Sequence, residues 1–227
     1  MKYNVIISDR AKEMLGMHIR FLSQVNRQAA IDLKKRLIED VPRFIGHIRK
    51  EALRLVYLID DIIHLSQLDE GVEMQREDVS LLDISKEVCE TLMDAASLKG
   101  ISLEVNGDIG TMHGVRRLLY DIIYNLCDNA IKYNSAGGYV KVNIIEQAGT
   151  VEICVSDNGF GIAKEHQEKI FERFYRVDKS HSKQSGGTGL GLSIVKHAVQ
   201  YHHGKITLDS KPNYGTTINV LFDTKLH

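Results

Sequence analysis

Asn125-Leu-Cys-Asp-Asn-Ala-Ile-Lys-Tyr133 closes a stretch, residues 114–134, in which Val115, Leu118, Leu119, Ile122 and Leu126 recur at helical spacing. Asn125 and Asn129 stand four apart, so on a helix their amides share one face, with Lys132 and Tyr133 one turn on. An amide oxygen suits Mg2+, an amide N–H suits a phosphate oxygen, and a lysine supplies a point charge. Taken alone, two helical asparagines are more often ordinary solvated residues. The segments around this helix decide the fold class. Before it, Asp83 reads as the cap of a helix running to Lys99, with Gly100 just past its end, and Ile101–Val105 reads as a strand. After it, Tyr139–Ile145, Val151–Ser156, Lys205–Leu208 and Thr216–Phe222 read as strands. Strands in succession without βαβ alternation predict an α+β sandwich with helices on one face of a sheet.

Three further segments carry chemistry. Asp157-Asn-Gly-Phe-Gly-Ile162 follows an apolar strand. A carboxylate at a strand end can accept a hydrogen bond from an exocyclic amine such as that of adenine, and Gly159 and Gly161 let the backbone approach a flat ring. The same residues also suit a plain turn. Gly186-Gly-Thr-Gly-Leu-Gly-Leu-Ser193 leads into an apolar helical stretch, residues 194–199. Glycines at 187, 189 and 191 expose N–H groups where a helix starts, which favours anions and makes a phosphate cradle. It is no Walker loop, since no Gly-Lys-Ser/Thr follows. It is no dinucleotide fingerprint, since the preceding residues are polar loop rather than strand. A flexible turn explains the glycines alone equally well. Between the two sites lies Phe171-Glu-Arg-Phe-Tyr-Arg176, whose aromatics could anchor a mobile lid and whose Arg173 or Arg176 could reach a terminal phosphate. Read in isolation it is a helix end packing its aromatics.

In this order and spacing the four segments resemble the N, G1, F and G2 boxes of the sensor histidine kinase ATP-binding domain, of the Bergerat (GHKL) superfamily. Gly215-Thr216 is similar to that family's closing glycine-threonine. The resemblance covers about residues 72–223. It implies an α/β sandwich binding Mg-ATP under a flexible lid. By it, Asp157 holds the adenine amine, Asn125 and Asn129 hold the metal and phosphates, and Lys132 touches phosphate. It implies that Tyr133, Gly159, Gly161, Ile162, Phe171, Arg173, Arg176, Gly187, Thr188, Gly189, Leu190, Gly191 and Thr216 complete the ATP site. It also implies a response-regulator partner.

Residues 1–71 are expected to form a helical dimerisation region and residues 72–227 the ATP-binding domain. Val41, Ile45, Ile48, Ala52, Leu55, Ile59 and Ile62 alternate steps of four and three, as in a bundle or coiled coil, which predicts a homodimer. An ordinary amphipathic helix fits that periodicity too. Residues 41–71 resemble the second helix of the kinase family's dimerisation and phosphotransfer hairpin. The first helix of that hairpin should carry a histidine followed by an acidic residue, and no such stretch precedes it here. His18 lies on the apolar stripe Ala11, Leu15, His18, Leu22, Val25 without an acidic neighbour, which makes it a weak acceptor and a natural packing residue. His47 and His64 lie in the second helix, and the remaining histidines read as surface residues. Tyr3–Ile7 reads as a strand and Gln28–Ile38 as a helix. Residues 1–38 resemble the start of RelE/ParE-type toxins, but without the following sheet no toxin activity is expected.

The 227 residues are 43% hydrophobic and 26% charged, an ordinary globular balance. The net charge of −1 excludes nucleic-acid binding driven by a large overall positive charge. Cys89, Cys127 and Cys154 are scattered and read as small buried residues of a reducing, cytoplasmic compartment. No apolar run reaches the roughly 18 residues that span a bilayer. Three functions compete: a two-component histidine kinase, a nucleotide-binding dimerising module that does not phosphorylate itself, and an anti-sigma-type serine kinase. The helix at 41–68 counts against the last.

Overall fold

The computed structural model describes residues 74–177 and 188–224 continuously, together with residues 8–10, 12–14, 16–17, 46, 48, 52, 55, 59 and 66. The chain divides into two units, Met1–Val56 and Tyr57–His227. The boundary expected at residue 71, the strand Tyr3–Ile7, the helix Gln28–Ile38, His18, His47, His64 and Gly187 lie outside the described residues. Every described position before residue 67 except Ser8 is helical. Four members of the expected apolar stripe are among them, and Ile48, Ala52, Leu55 and Ile59 are all exposed.

From residue 74 onward the fold is the expected α+β sandwich. Its elements are β1 (Glu77–Ser80), α1 (Leu81–Leu98), β2 (Ser102–Gly107), β3 (Thr111–Gly114), α2 (Arg116–Lys132), β4 (Tyr139–Gln147), β5 (Thr150–Asp157), the short α3 (Lys164–Gln167), a 3-10 turn at Lys169–Phe171, α4 (Gly191–Tyr201), β6 (Lys205–Lys211) and β7 (Gly215–Asp223). Five strands form one sheet in the order β2-β4-β5-β7-β6, and β1 pairs with β3 apart from it. Only β2 and β4 run parallel; the other pairs of the large sheet are antiparallel.

Alternation dictates which face is covered. Val140, Val142 and Ile144 of β4, Val151, Ile153 and Val155 of β5 and Ile218, Val220 and Phe222 of β7 are buried. They meet the stripes of α1 (Ile84, Val88, Leu92), α2 (Leu119, Ile122, Ile123) and α4 (Val195, Ala198, Val199) in one core. The intervening strand residues face outward, and Lys141 pairs there with Glu104 at 3.4 Å.

Three expectations need correction. The cap of α1 is Ser80, whose Oγ accepts the Asp83 N–H at 3.2 Å. The helix therefore begins at Leu81, which is wholly buried, and Asp83 sits inside its first turn, where its charge complements the helix dipole. Cys154 is only partly buried, because it alternates with Ile153 and Val155 and so faces away from the helices. His202 is 2% exposed rather than a surface residue. Its Nδ1 lies 2.8 Å from the Ala198 carbonyl and its Nε2 accepts the Val115 N–H at 3.0 Å. A carbonyl only accepts, so this pattern requires a neutral ring protonated at Nδ1. His202 thus closes the end of α4 and satisfies a donor at the start of α2, a helix without a side-chain cap of its own.

Candidate functional site

The C-terminal half of α2, the end of β5, the start of β7 and the start of α4 converge at one end of the sandwich. On α2, the Asn125 Nδ2 donates to the Asp121 carbonyl at 2.8 Å. That bond turns Oδ1 away from its own helix and toward Gly191, the first residue of α4. A Cβ on Gly191 would lie 2.6 Å from this oxygen. Only glycine lets α4 start so close to the amide, and the two motifs are therefore joined by direct apposition. Asn129 is half-buried one turn further on. Lys132 is ion-paired with Asp128, its i−4 neighbour on the helix. Lys99 donates to the Ile131 and Lys132 carbonyls at 3.0 and 2.8 Å, which satisfies the C-terminal end of α2. Tyr133 is largely exposed, and its carbonyl accepts the Phe160 N–H at 3.0 Å. The loop after β5 is thereby tied to the end of α2.

Asp157 ends β5 opposite Val140 of β4 and Thr216 of β7, so its side chain shares the helix-covered face with both. Its Oδ1 accepts the Gly159 N–H at 2.8 Å. Burial pushes the Asp157 carboxyl above the usual carboxylate range, against the lowering effect of N–H bonds from Gly159 and Thr216. Gly161 has φ +66° and packs so closely on the Lys211 carbonyl that a Cβ would overlap it. The Ile162 N–H donates to Ser210 Oγ at 2.8 Å, and Gln167 Nε2 donates to the Ile162 and Ser210 carbonyls at 2.9 and 2.8 Å.

The segment Phe171–Arg176 also reaches this end. The Phe174 N–H donates to the Gly189 carbonyl at 2.9 Å, which ties the segment to the run that precedes α4. Phe171 is half-buried, and Phe174 is largely exposed with φ +62°. Arg173 Nη2 donates to His197 Nε2 at 3.1 Å, while His197 Nδ1 donates to the Ser193 carbonyl at 2.7 Å. Arg176 is half-buried. Thr188 Oγ1 accepts the Leu190 N–H at 3.2 Å, and Leu190 is wholly buried.

Three contacts therefore link the four segments quoted from the sequence, Asn125 to Gly191, Tyr133 to Phe160 and Phe174 to Gly189, and the pairing of Asp157 with Thr216 adds the start of β7. Sequence reasoning missed Ser210, Gln167 and His197, whose roles arise from contacts between distant elements. The chemistry available is a half-buried acceptor carboxylate, amide oxygens on one helix face, and a helix start with no side-chain cap among the described residues. No three His, Cys, Asp or Glu residues cluster to hold a metal among the described residues. A cation here would need oxygens from a ligand to complete its shell, as Mg2+ does with phosphates. No helix among the described residues is long and apolar enough to cross a membrane.

Residues 114–226 match the model of the histidine kinase-, DNA gyrase B- and HSP90-like ATPase family. Over 186 residues the chain is 40% identical to the sensor-like histidine kinase SenX3 of Mycolicibacterium smegmatis, covering 80% of this chain and 48% of that protein. It is 35% identical over 175 residues to the histidine protein kinase SaeS of Staphylococcus aureus, covering 75% of this chain and 50% of that one. The chain thus spans about half the length of the curated relatives it matches. Among solved structures, the mycobacterial sensor histidine kinase MprB superposes with a TM-score of 0.58 at 29% identity, over 66% of this chain and 97% of that one.

Proposed function

Residues 114–226 belong to the histidine kinase-, DNA gyrase B- and HSP90-like ATPase family, and from that premise we propose that this chain is the catalytic core of a two-component protein-histidine kinase. It binds Mg-ATP and transfers the γ-phosphoryl group to a histidine, from which a response regulator takes it. The observation that carries this reading is the apposition of Asn125 and Gly191, which sets an amide oxygen against a helix start that has no side-chain cap among the described residues. The relatives named as histidine kinases support the same reaction.

Each residue has a task within this reading. Asp157 accepts the adenine amine. The Asn125 Oδ1, freed by the bond from Nδ2 to Asp121, and the amide of Asn129 offer neutral oxygens to Mg2+, which would neutralise phosphate charge. The N–H groups at the start of α4 receive phosphate oxygens. Lys132 reaches the phosphates by exchanging Asp128 for them, and Arg173 does so by leaving His197. In the transfer, the bond from the γ-phosphorus to the bridging oxygen breaks, a phosphorus–nitrogen bond to imidazole forms, ADP leaves, and the imidazole proton passes to a base. The chain contributes mainly position and charge stabilisation.

The exposed positions Ile48, Ala52 and Leu55, at helical spacing in the first unit, support a homodimer through the helical region. Residues 1–71 and 72–227 are the corresponding division of labour. A second reading, a nucleotide-binding dimerising module that does not phosphorylate itself, is favoured by one observation: no histidine with an acidic neighbour precedes residues 41–68 in this sequence. Incubation of the purified chain with γ-labelled Mg-ATP separates the two. Acid-labile, base-stable label that disappears in Asn129→Ala supports the kinase. Nucleotide binding without label supports the module.

A further inference from the structure

Ser210 sits at the centre of a hydrogen-bond cluster directly beside Asp157, and nothing in the four boxes accounts for it. It pairs with Thr216 across β6 and β7, and Thr216 pairs in turn with Asp157 across β7 and β5. The three side chains therefore line one row on the helix-covered face of the sheet. Ser210 Oγ lies 2.8 Å from the Ile162 nitrogen, 3.0 Å from the Gly215 carbonyl oxygen and 2.9 Å from Thr216 Oγ1. Gln167 holds the Ser210 and Ile162 carbonyls together, so the loop and the strand keep one spacing.

A serine hydroxyl carries one proton and two lone pairs. The Ile162 N–H must donate, and the Gly215 carbonyl must accept. Only one assignment makes all three contacts hydrogen bonds. Ser210 gives its proton to Gly215, and Thr216 gives its own proton to Ser210. Thr216 then has only lone pairs left to offer a ligand. Beside the Asp157 carboxylate this sets two acceptors next to one another, with neither Ser210 nor Thr216 left a hydroxyl proton to offer. Such a pair of acceptors suits an exocyclic amine, as on adenine, and disfavours a carbonyl at the same place, as on guanine.

We propose that Ser210 is a positioning residue that spends the Thr216 proton and thereby enforces adenine over guanine at this site. The proposal rests on the nucleotide-binding reading above. Without Ser210, the Thr216 hydroxyl is free to turn its proton toward a purine carbonyl.

The test is calorimetric titration of the full chain with Mg-ADP and Mg-GDP. The wild type should bind Mg-ADP more tightly. Ser210→Ala should lower the ADP-to-GDP affinity ratio about tenfold, the scale of one misdirected hydrogen bond. Ser210→Thr, which keeps the hydroxyl, should restore it. Thr216→Val, which removes the redirected hydroxyl itself, should make Ser210→Ala silent on the ratio and provides a second readout. Equal weakening of both nucleotides by Ser210→Ala, or an unchanged ratio, overturns the proposal while leaving the nucleotide site standing. A wild-type chain that binds neither nucleotide overturns the site reading and this proposal with it.

Discussion

The first residue of α4, Gly191, is seated against the amide oxygen of Asn125, so that a Cβ on the glycine would lie 2.6 Å from Oδ1. This contact joins two stretches far apart in the chain and makes one site of them. It also separates local from site effects. In a helix, alanine is intrinsically better than glycine by about 1 kcal/mol. Gly191→Ala should therefore leave thermal stability within a few degrees of the wild type while displacing Asn125 and weakening Mg-ATP binding at least tenfold, by the strictness of close packing. Thermal unfolding alongside calorimetry checks both halves.

Asp157 opposes fold and function. Burial raises its carboxyl above the ordinary range, so the charged form is disfavoured in the folded chain. A carboxyl raised on folding adds stability below its unfolded value and loses it as pH rises through the folded value. At neutral pH the charge is thus a cost. Asp157→Asn keeps an oxygen for the Gly159 N–H and should melt no lower than the wild type at pH 7. It should nevertheless weaken adenine nucleotide binding sharply, because an amide can present its NH2 to the incoming amine. Nucleotide affinity of the wild type should fall on acidification from a higher pH than an ordinary aspartate would give.

His202 is a structural histidine. Replacing it with alanine leaves the Val115 N–H without its acceptor and opens a hole beside Phe222, which lies edge-on to the ring at 5.9 Å. An unpaired buried donor and a cavity together cost about 2–4 kcal/mol. The melting temperature should fall by roughly 5–15 °C, by the scaling for a domain of this size. Residual nucleotide affinity measured well below the transition should stay near the wild-type value, since the ring is not part of the site.

The exposed helical stripe should be an interface. Ile48→Glu combined with Leu55→Glu places charges on it and should convert a dimer to a monomer by light scattering, with nucleotide binding retained. A wild-type chain that is already monomeric at micromolar concentration would remove this prediction.

Much of the molecule was legible because its signals are local. The spacing of Asn125 and Asn129 specifies one helix face, and the alternation in β4, β5 and β7 specifies the buried face of the sheet. The strands β1 and β3 were missed because four residues are too few to show alternation. Asp83 reads as the cap in the sequence because aspartate and serine cap equally well, and the extended backbone of Ser80 with its bond from the Asp83 N–H decides for Ser80. His202 lies in a polar-looking Tyr-His-His-Gly run, and its burial is imposed by the start of α2, 87 residues away in the chain. Ser210 gave no signal because a serine near a strand end has no period. Its importance lies entirely in three partners from other parts of the fold.

The central claim is that four separated segments build one adenine-nucleotide site. It is tested most directly by titrating Mg-ATP into the full chain and into Asn125→Ala, which removes the amide oxygen facing Gly191 without touching the core. The account predicts saturable one-to-one binding to the wild type and at least a tenfold loss in the variant, the scale of a lost charge-assisted contact. Absence of saturable binding to the wild type, or equal affinity in the two proteins, would contradict it.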